Sequence, residues 1–278
     1  MRSPRSSSFE NDHEESFFVS MTDMMVGMIF MFIIMLMFFA LKFNDDSSDL
    51  RQEKDRLAQQ NILLKEEKRR LNEQLLLLQG AVHARDNLVE NVYRSLKAQG
   101  VNVMIDIDNG ILRLPESILF PVNKAELTPD GNVAVRKLAS ALSRVLPCYS
   151  QLDGEARPAD CPANAFGLEA LLVEGHTDSD GREDLNWRLS MERALHTYHV
   201  LTSEQPLLTH LFRWVSDDEK DTNGTKYPLL SVAGYGMTRP IALNDTQENK
   251  NKNRRIDLRF IMSPPAKVEI NAAKRMVQ

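Results

Sequence analysis

The 278-residue chain has little of what defines several classes of protein. It has two cysteines, which are too few for a disulfide scaffold and lack the paired spacing of a zinc site. No segment shows the excess of lysine and arginine that a general nucleic-acid binder normally has, and the formal net charge is -5. The histidines are scattered along the chain. We therefore expect no metal site, no cofactor and no direct contact with nucleic acid.

One segment near the start lacks charge altogether. From Met24 to Leu41, eighteen consecutive residues include no charged side chain, and about 20 apolar residues span a bilayer as one helix. A cleaved signal peptide is the alternative, but the apolar stretch is too long and no small-residue cleavage site ends it. The sequence predicts a single transmembrane helix at 17–43. The Ser-rich, charged residues 1–16 before it have almost nothing to bury, so we predict a disordered tail there.

Residues 44–99 contain no proline and repeat leucine every seventh residue. Sustained heptads predict a coiled coil, and an asparagine at one core position with leucine at the alternate position favours a parallel homodimer. Lysines at two core positions weaken the first half. The alternative is one amphipathic helix packed on its own domain. We call this set of positions the heptad seam: Leu50, Leu57, Leu64, Leu71 and Leu78, with Lys54, Asn61, Lys68, Leu75, Val82 and Val89.

Residues 101–264 form the predicted globular part. Strands and helices follow one another here, which indicates an α+β fold with helices on one face of a sheet. The turn Asp108-Asn109-Gly110 lies between two alternating segments and predicts a β-hairpin. A helix at 128–146 has Thr128 or Asp130 as its cap. The other predicted elements are strands at 170–175, 229–233 and 255–260, a helix at 186–204 and a C-terminal tail at 265–278.

Four motifs occur in order in this part of the chain. They are Phe120-Pro121 with 125–131; Gly175-His176-Thr177-Asp178 with Asn186, Leu189-Ser190 and Arg193-Ala194; Gly234-Tyr235-Gly236 with Arg239-Pro240; and Asn253-Arg254-Arg255-Ile256. In order and spacing they resemble the motifs of the OmpA-like, or OmpA/MotB C-terminal, domain family. The resemblance implies a domain that is not an enzyme and that grips the peptide stem of peptidoglycan.

The same resemblance implies site residues. A meso-diaminopimelate side chain has an ammonium and a carboxylate on one carbon. Asp178 matches the family's ammonium-binding aspartate, and Arg193 matches its carboxylate-binding arginine, whose planar guanidinium can pair bidentately. Thr177, Asn186 and Leu189 match the neighbouring positions of the pocket. The alternative is that Asp178 and Arg193 merely form a salt bridge between a loop and a helix.

Two stretches depart from the short family domain and are predicted to be loop insertions, at 147–168 and 205–228. Cys148 and Cys161 bracket most of the first insertion. In an oxidising periplasm a disulfide between them would close this loop. Two free thiols are the alternative.

Asp23 places a carboxylate near the N-terminal end of the predicted span. An ionisable group there is costly and suggests a function, and Gly27 one turn later would let a partner helix approach closely. The alternative is that Asp23 only marks the interface, with its carboxylate in water. An aspartate at this place on a single span joined to an OmpA-like domain resembles MotB-type subunits of bacterial ion-driven stators. That resemblance implies that Asp23 carries protons and that a multi-span MotA-like partner surrounds the dimer.

The residues around Asp23 match that family incompletely, because Met21-Thr22 stands where it has an aromatic residue followed by a small one. Flagellar MotB-type subunits usually follow the span with a short plug helix. The heptad region, the Met-rich span and the cysteine-bearing insertion are more similar to the ZorB-type subunits of Zorya anti-phage defence systems. The partner would then be ZorA-like. A passive cell-wall tether is the third hypothesis.

The predicted orientation of the chain in the membrane depends on peptidoglycan being its ligand. Arg2 and Arg5 precede the span and more basic residues follow it, so the positive-inside rule alone would place the C-terminal side in the cytoplasm. Peptidoglycan, however, lies outside the inner membrane, and long domains translocate largely regardless of charge. We expect a single-pass inner-membrane protein with a cytoplasmic N-terminus and a periplasmic C-terminal domain.

Overall fold

The computed structural model describes residues 11–121, 123–153, 158–159, 161, 166–213 and 226–263, with side chains from residue 21 onward. The predicted C-terminal tail at 265–278 therefore lies outside the described residues. The chain divides into two compact units, the first ending at Arg70 and the second beginning at Leu71.

Helix α1 extends from Asn11 to Ala98. Residues 11–16 are therefore helical, although the sequence predicts them as part of the disordered tail, whose residues 1–10 lie outside the described part. Within the described residues, this is the helix that is long and apolar enough to cross a membrane, by its length and composition.

The heptad leucines of α1 are uncovered in the single chain. Those from Leu50 to Leu78 are between 48% and 72% exposed. Farther along the helix a different face is buried in the second unit, so the prediction of a free coiled coil up to residue 99 is wrong at its C-terminal end. Val89, a predicted coiled-coil core position, is buried there. The buried face comprises Leu77, Ala81, Ala84, Leu88, Val92 and Leu96.

The last turns of α1 therefore belong to the second unit, and the predicted domain start at residue 101 is too late. The reason is that the helix offers two neighbouring apolar faces after Leu71, and the domain covers the face that includes Leu77 rather than the one that includes Leu78. The alternative of a helix packed on its own domain is correct for this segment, while the heptad seam beside it stays exposed as far as Val82.

A five-stranded sheet forms the centre of the second unit. Its strand order is β1-β2-β7-β4-β6. Neighbouring strands are antiparallel except β4 and β6, which are parallel. Residues 107–110 form the turn of the predicted β1–β2 hairpin. The strands are β1 (Met104–Asp106), β2 (Ile111–Pro115), β4 (Leu168–His176), β6 (Leu230–Gly234) and β7 (Arg255–Met262).

Four further helices accompany the sheet. Helix α4 packs against β4 and β6, and α3 packs against α4. Thr128 caps α3, because its hydroxyl oxygen accepts a hydrogen bond from the Gly131 amide at 2.8 Å. The helices are α2 (Glu116–Leu119), α3 (Pro129–Val145), α4 (Glu183–Glu204) and α5 (Gln247–Asn253). The predicted α+β class, with a long apolar helix at the N-terminus, is confirmed.

The two predicted insertions pair with each other. Strand β3 (Gln151–Leu152) comes from the first and strand β5 (Leu211–Phe212) from the second, and they form a separate antiparallel pair. The structure contains a disulfide between Cys148 and Cys161, whose Cα atoms are 5.3 Å apart. The bond and the strand pair thus hold the described parts of both insertions.

Candidate functional site

The register of three neighbouring strands brings their ends to one edge of the sheet. Strand β7 is antiparallel to β2 on one side and to β4 on the other, so its first residue lies beside the last residues of both. The aligned residues are Pro115, Arg255 and His176. Glu116 follows β2, Arg254 precedes β7, and Asp178 lies just beyond β4. These three charged residues therefore meet at this edge although they are far apart in sequence.

A cavity of about 260 Å³ lies at this edge. The five residues that the family resemblance implies all line it: Thr177, Asp178, Asn186, Leu189 and Arg193. The structure adds Glu116 and Arg254, which we did not predict as site residues. Gln247 and Asn123 also line the cavity, and Asn123 has a positive φ of 59°.

Arg193 is held rigidly on α4. Its side chain is only 2% exposed. The guanidinium donates from Nε to the Lys124 carbonyl at 2.9 Å and from Nη2 to Glu116 Oε1 at 2.6 Å. It also lies over the Phe120 ring, 5.2 Å from the centroid. Contacts on several sides fix one orientation of the guanidinium at the cavity.

Four charged side chains at the cavity form a chain of alternating sign, which we call the charge relay: Arg193, Glu116, Arg254 and Asp178. Glu116 accepts from Arg193 through Oε1 and pairs through Oε2 with Arg254 Nε at 2.9 Å. Arg254 Nη1 pairs in turn with Asp178 Oδ2. Burial raises the pKa of Glu116, and the two arginines beside it oppose that effect.

The charge relay argues against a simple loop-to-helix salt bridge. Among the described residues no ion pair joins Asp178 to Arg193, because each is paired with a different residue of the relay. Asp178 is positioned by its own loop, since its Oδ1 accepts from the Asp180 amide at 2.9 Å. Asn186 on α4 donates to the Asp180 carbonyl at 2.9 Å and so holds that loop to the helix.

Two glycines allow α4 to approach the sheet closely. A Cβ at Gly175 would lie 1.9 Å from the Ser190 carbonyl oxygen, and one at Gly234 would lie 2.7 Å from the Met191 amide nitrogen. No larger residue fits at either place without moving the helix. The glycine of the Gly175-His176-Thr177-Asp178 motif therefore sets the distance between Asp178 and the helix that carries Arg193.

The Thr177 hydroxyl oxygen is buried and has no hydrogen-bond partner within the described part of the chain. Thr177 is 4% exposed and lines the cavity, while its amide donates to the Gly236 carbonyl at 2.9 Å. Buried hydroxyl groups normally have a partner. This one is available to a ligand in the cavity.

A second cluster of ionisable groups lies on β4 and β7, where side-chain atoms of Glu174, His176 and Asp257 are within 4.8 Å of one another. Arginines already neutralise both carboxylates: Arg259 donates to Glu174 at 2.8 and 3.0 Å, and Arg255 and Arg113 pair with Asp257. A cation would therefore enter a site whose negative charge is already balanced. The ring of His176 stacks on that of Tyr235, with centroids 5.3 Å apart.

Burial affects the protonation of both His176 and Glu174. It lowers the pKa of His176, which opposes the effect of the nearby Glu174. Burial alone would raise the pKa of Glu174, but His176 and the Arg259 guanidinium outweigh it and lower that pKa to about 2. The cluster thus favours an ionised Glu174 and a neutral His176, which is the arrangement of a structural network.

Sequence reasoning missed Glu116 and, as a site residue, Arg254. Arg254 stands in the Asn253-Arg254-Arg255-Ile256 motif, so its signal was present without a role attached to it. Glu116 is a single acidic residue between a strand and a short helix, and no sequence pattern sets it apart. Only the strand register shows that it is next to Arg254, whose carbonyl accepts from the Glu116 amide at 3.1 Å.

Comparison with known proteins gives partial matches. No protein-family model matches the chain. The chain is 28% identical over 163 residues to the protein named probable lipoprotein YiaD of Escherichia coli (strain K12), which is 59% of this chain and 56% of that protein. It is 30% identical over 105 residues to motility protein B of Bacillus subtilis (strain 168), which is 36% of this chain and 33% of that protein. The chain thus spans little more than half of the first relative and a third of the second.

Among solved structures, the cell wall anchor of the type VI secretion system of Pseudomonas aeruginosa is similar, with a TM-score of 0.40 and 20% identity. The match covers 64% of this chain and 99% of that one. The chain is therefore similar, over part of its length, to a probable lipoprotein and to a motility protein B.

Proposed function

We propose that the chain is the cell-wall-anchored, MotB-like subunit of a proton-driven motor in the inner membrane. In this proposal the C-terminal domain is periplasmic and binds peptidoglycan, and Asp23 carries the ion. The single observation that supports wall binding best is the cavity at the sheet edge, where a buried arginine and a buried aspartate lie beside an unpaired threonine hydroxyl.

The chemistry of the cavity suits a meso-diaminopimelate side chain. The ligand ammonium would bind Asp178, and the ligand carboxylate would pair with the fixed Arg193 guanidinium. Asn186 holds the loop that positions the aspartate, and Leu189 supplies an apolar wall. The domain performs no covalent chemistry in this proposal, because its task is to hold the protein on the cell wall.

Sedimentation with insoluble peptidoglycan tests the binding step. The full chain in detergent should sediment with meso-diaminopimelate-type walls, and Arg193→Ala should abolish this. Arg188→Ala is the matched control, because Arg188 lies on the same helix and pairs at the surface with Glu192. Unchanged sedimentation of a folded Arg193→Ala chain would refute the site. Should that variant melt early, the charge-neutral pair Glu116→Gln with Arg193→Gln removes the same guanidinium.

The motor part of the proposal depends on the first unit. The apolar part of α1 would cross the membrane with Asp23 near its cytoplasmic end, and the heptad seam would pair two copies in parallel. One helix per copy cannot enclose an ion path, so a MotA-like multi-span partner would surround the dimer. Each proton moved would release about 2.3 kcal/mol per 100 mV.

Asp23→Asn tests the ion step. The variant should retain expression, dimerisation and wall binding but lose all activity in cells, because an amide cannot take up and release a proton. Asp46→Asn, the same exchange outside the span, should remain active. An active Asp23→Asn variant would refute the role of Asp23 as ion carrier and leave the passive cell-wall tether as the remaining hypothesis.

We further propose that the motor belongs to a Zorya-type anti-phage system, with a ZorA-like partner. The continuous helix after the span and the disulfide-closed insertion support this assignment. A flagellar stator is the second candidate, and the similarity to motility protein B of Bacillus subtilis favours it. Deletion of the gene should raise phage plating and leave swimming unchanged, whereas lost swimming with unchanged plating would select the flagellar role.

A further inference from the structure

The charge relay occupies the two groups that the proposed ligand needs. Asp178, which would bind the ligand ammonium, is paired with the Arg254 guanidinium. Arg193, which would bind the ligand carboxylate, is paired with Glu116 at 2.6 Å. Glu116 and Arg254 therefore present one negative and one positive group, joined to each other at 2.9 Å, at the two places that a zwitterionic ligand would take.

We infer that Glu116 and Arg254 are an internal stand-in for the ligand's zwitterion, which the ligand displaces when it binds. This inference rests on the proposed binding of peptidoglycan. It adds two residues that set the affinity of the site for a group bearing an ammonium and a carboxylate on one carbon.

The exchange leaves no buried charge unpaired. When the ligand ammonium replaces Arg254 at Asp178 and the ligand carboxylate replaces Glu116 at Arg193, the two displaced side chains still pair with each other. Removing one partner of a buried ion pair is otherwise strongly destabilising, because the remaining charge is uncompensated. The pairing between Glu116 and Arg254 makes the site able to open and close reversibly.

Burial shows which side of the Arg254–Asp178 pair moves, since the Asp178 side chain is only 7% exposed. The Arg193 side chain is 2% exposed and is fixed by the Lys124 carbonyl and the Phe120 ring, whereas the Arg254 side chain is 22% exposed. Arg254 also contacts Asn251 Oδ1 on the exposed side of α5. The guanidinium of Arg254 thus has a partner toward solvent, and Arg193 stays as the fixed half of the site.

The stand-in lowers the affinity of the site by competing with the ligand. A competitor within the site reduces the apparent affinity of the ligand in proportion to the fraction of molecules whose site it leaves free. A ligand with an ammonium alone displaces Arg254 but leaves Glu116 on Arg193. A ligand with both groups must displace both side chains, so the stand-in weakens the binding of a diaminopimelate stem peptide more than that of a stem peptide in which lysine replaces diaminopimelate.

Calorimetric titration of the full chain in detergent with a muramyl tripeptide carrying meso-diaminopimelate tests this inference. The double variant Glu116→Gln with Arg254→Gln keeps the net charge and removes the stand-in, so its Kd should be about tenfold lower than that of the unchanged chain. The control is Glu248→Gln with Lys252→Gln, which removes an exposed pair on α5 at 2.9 Å. Its Kd should not change.

An unchanged or higher Kd for the Glu116/Arg254 double variant would overturn the inference, because these side chains would then be inert or would contact the ligand themselves. Should that variant unfold, Arg254→Gln alone with a lysine-type muramyl tripeptide serves instead. Its Kd should fall about fivefold, since only Asp178 is released, and no fall would also overturn the inference. Failure of the proposed function is distinct, because the unchanged chain would then bind neither peptide.

Discussion

Gly175 shows how one residue determines the geometry of the cavity. Its Cα faces the backbone of α4, and a methyl group there would lie 1.9 Å from the Ser190 carbonyl oxygen. Gly175→Ala should lower the free energy of unfolding of the second unit by about 3 kcal/mol or more, because a backbone clash cannot be relieved by a rotamer change. Denaturant titration measures it. Gly27→Ala, with no atom within 4 Å of the added carbon, should have no effect on that unit.

Glu174 gives the fold a defined dependence on acid. Its pKa in the folded chain is about 2, against 4.5 ordinarily. A lowered carboxyl pKa stabilises the fold above the ordinary value, and this stability is lost as the pH falls from about 4.5 toward 2. The loss should reach about 3 kcal/mol.

Denaturation at a series of pH values checks this prediction. Glu174→Gln should flatten the dependence below pH 4.5, because glutamine has no proton to gain. Arg259→Gln should make the loss smaller and complete it at a higher pH, because the folded-state pKa of Glu174 rises toward its ordinary value when the guanidinium that donates to it is removed. A wild-type slope that Glu174→Gln leaves intact would assign the acid sensitivity to other carboxylates.

The residues of the cavity show how much of the site can be predicted from the sequence alone. Thr177, Asp178 and Arg193 were predictable because a motif fixes their types and spacing. The pairing of Glu116 with Arg254 was not, because it depends on the antiparallel register of β2 and β7, which no local pattern encodes. Sequence reasoning therefore identified the groups that we propose bind the ligand and missed the two that we propose compete with it.

At the scale of elements, the two insertions form one structure. The pairing of β3 with β5 joins segments that are separate in sequence, and the Cys148–Cys161 bond closes the first of them. Their pairing could not be predicted, because each strand has two residues and no periodicity is detectable at that length.

Removing the disulfide should destabilise the second unit. With Cys148→Ser and Cys161→Ser, the free energy of unfolding should fall by about 3 kcal/mol, because the cross-link no longer restricts the unfolded chain. Thermal or denaturant unfolding of the full chain without reductant measures the change. Addition of a reductant to the unchanged chain should give the same result, and an unchanged unfolding midpoint would contradict the prediction.

Helix α1 illustrates the limit of periodicity as a predictor. After Leu71 the leucines that recur every seventh residue lie next to the residues of the buried face, and both sets have helical spacing. Leu78 is exposed whereas Leu77, its neighbour, is buried. Sequence periodicity identifies the helix but does not tell which apolar face a domain will cover, because that depends on packing with residues far away in the chain.

For the whole molecule, the exposed heptad seam predicts the oligomeric state. Leu57→Glu with Leu64→Glu should convert the dimer that we propose to a monomer, because opposed core charges repel in a parallel coiled coil. Ile62→Glu with Leu63→Glu is the matched control, because both residues lie outside the heptad seam and are also exposed. Light scattering of the full chain in detergent measures the mass. A dimer that survives the seam variant would place the contact elsewhere.

In the function that we propose, the charge relay also affects how fast the molecule meets the cell wall. The formal charges of its two arginines and two carboxylates sum to zero. The neighbouring ion pair of Lys250 with Asp180, at 2.6 Å, adds no net charge. A neutral site exerts little long-range attraction, so diffusion is not steered toward it and salt has little to screen. Capture of the wall should then proceed at nearly the same rate in dilute and concentrated media, which suits a domain exposed to a compartment whose ionic strength follows the surroundings of the cell.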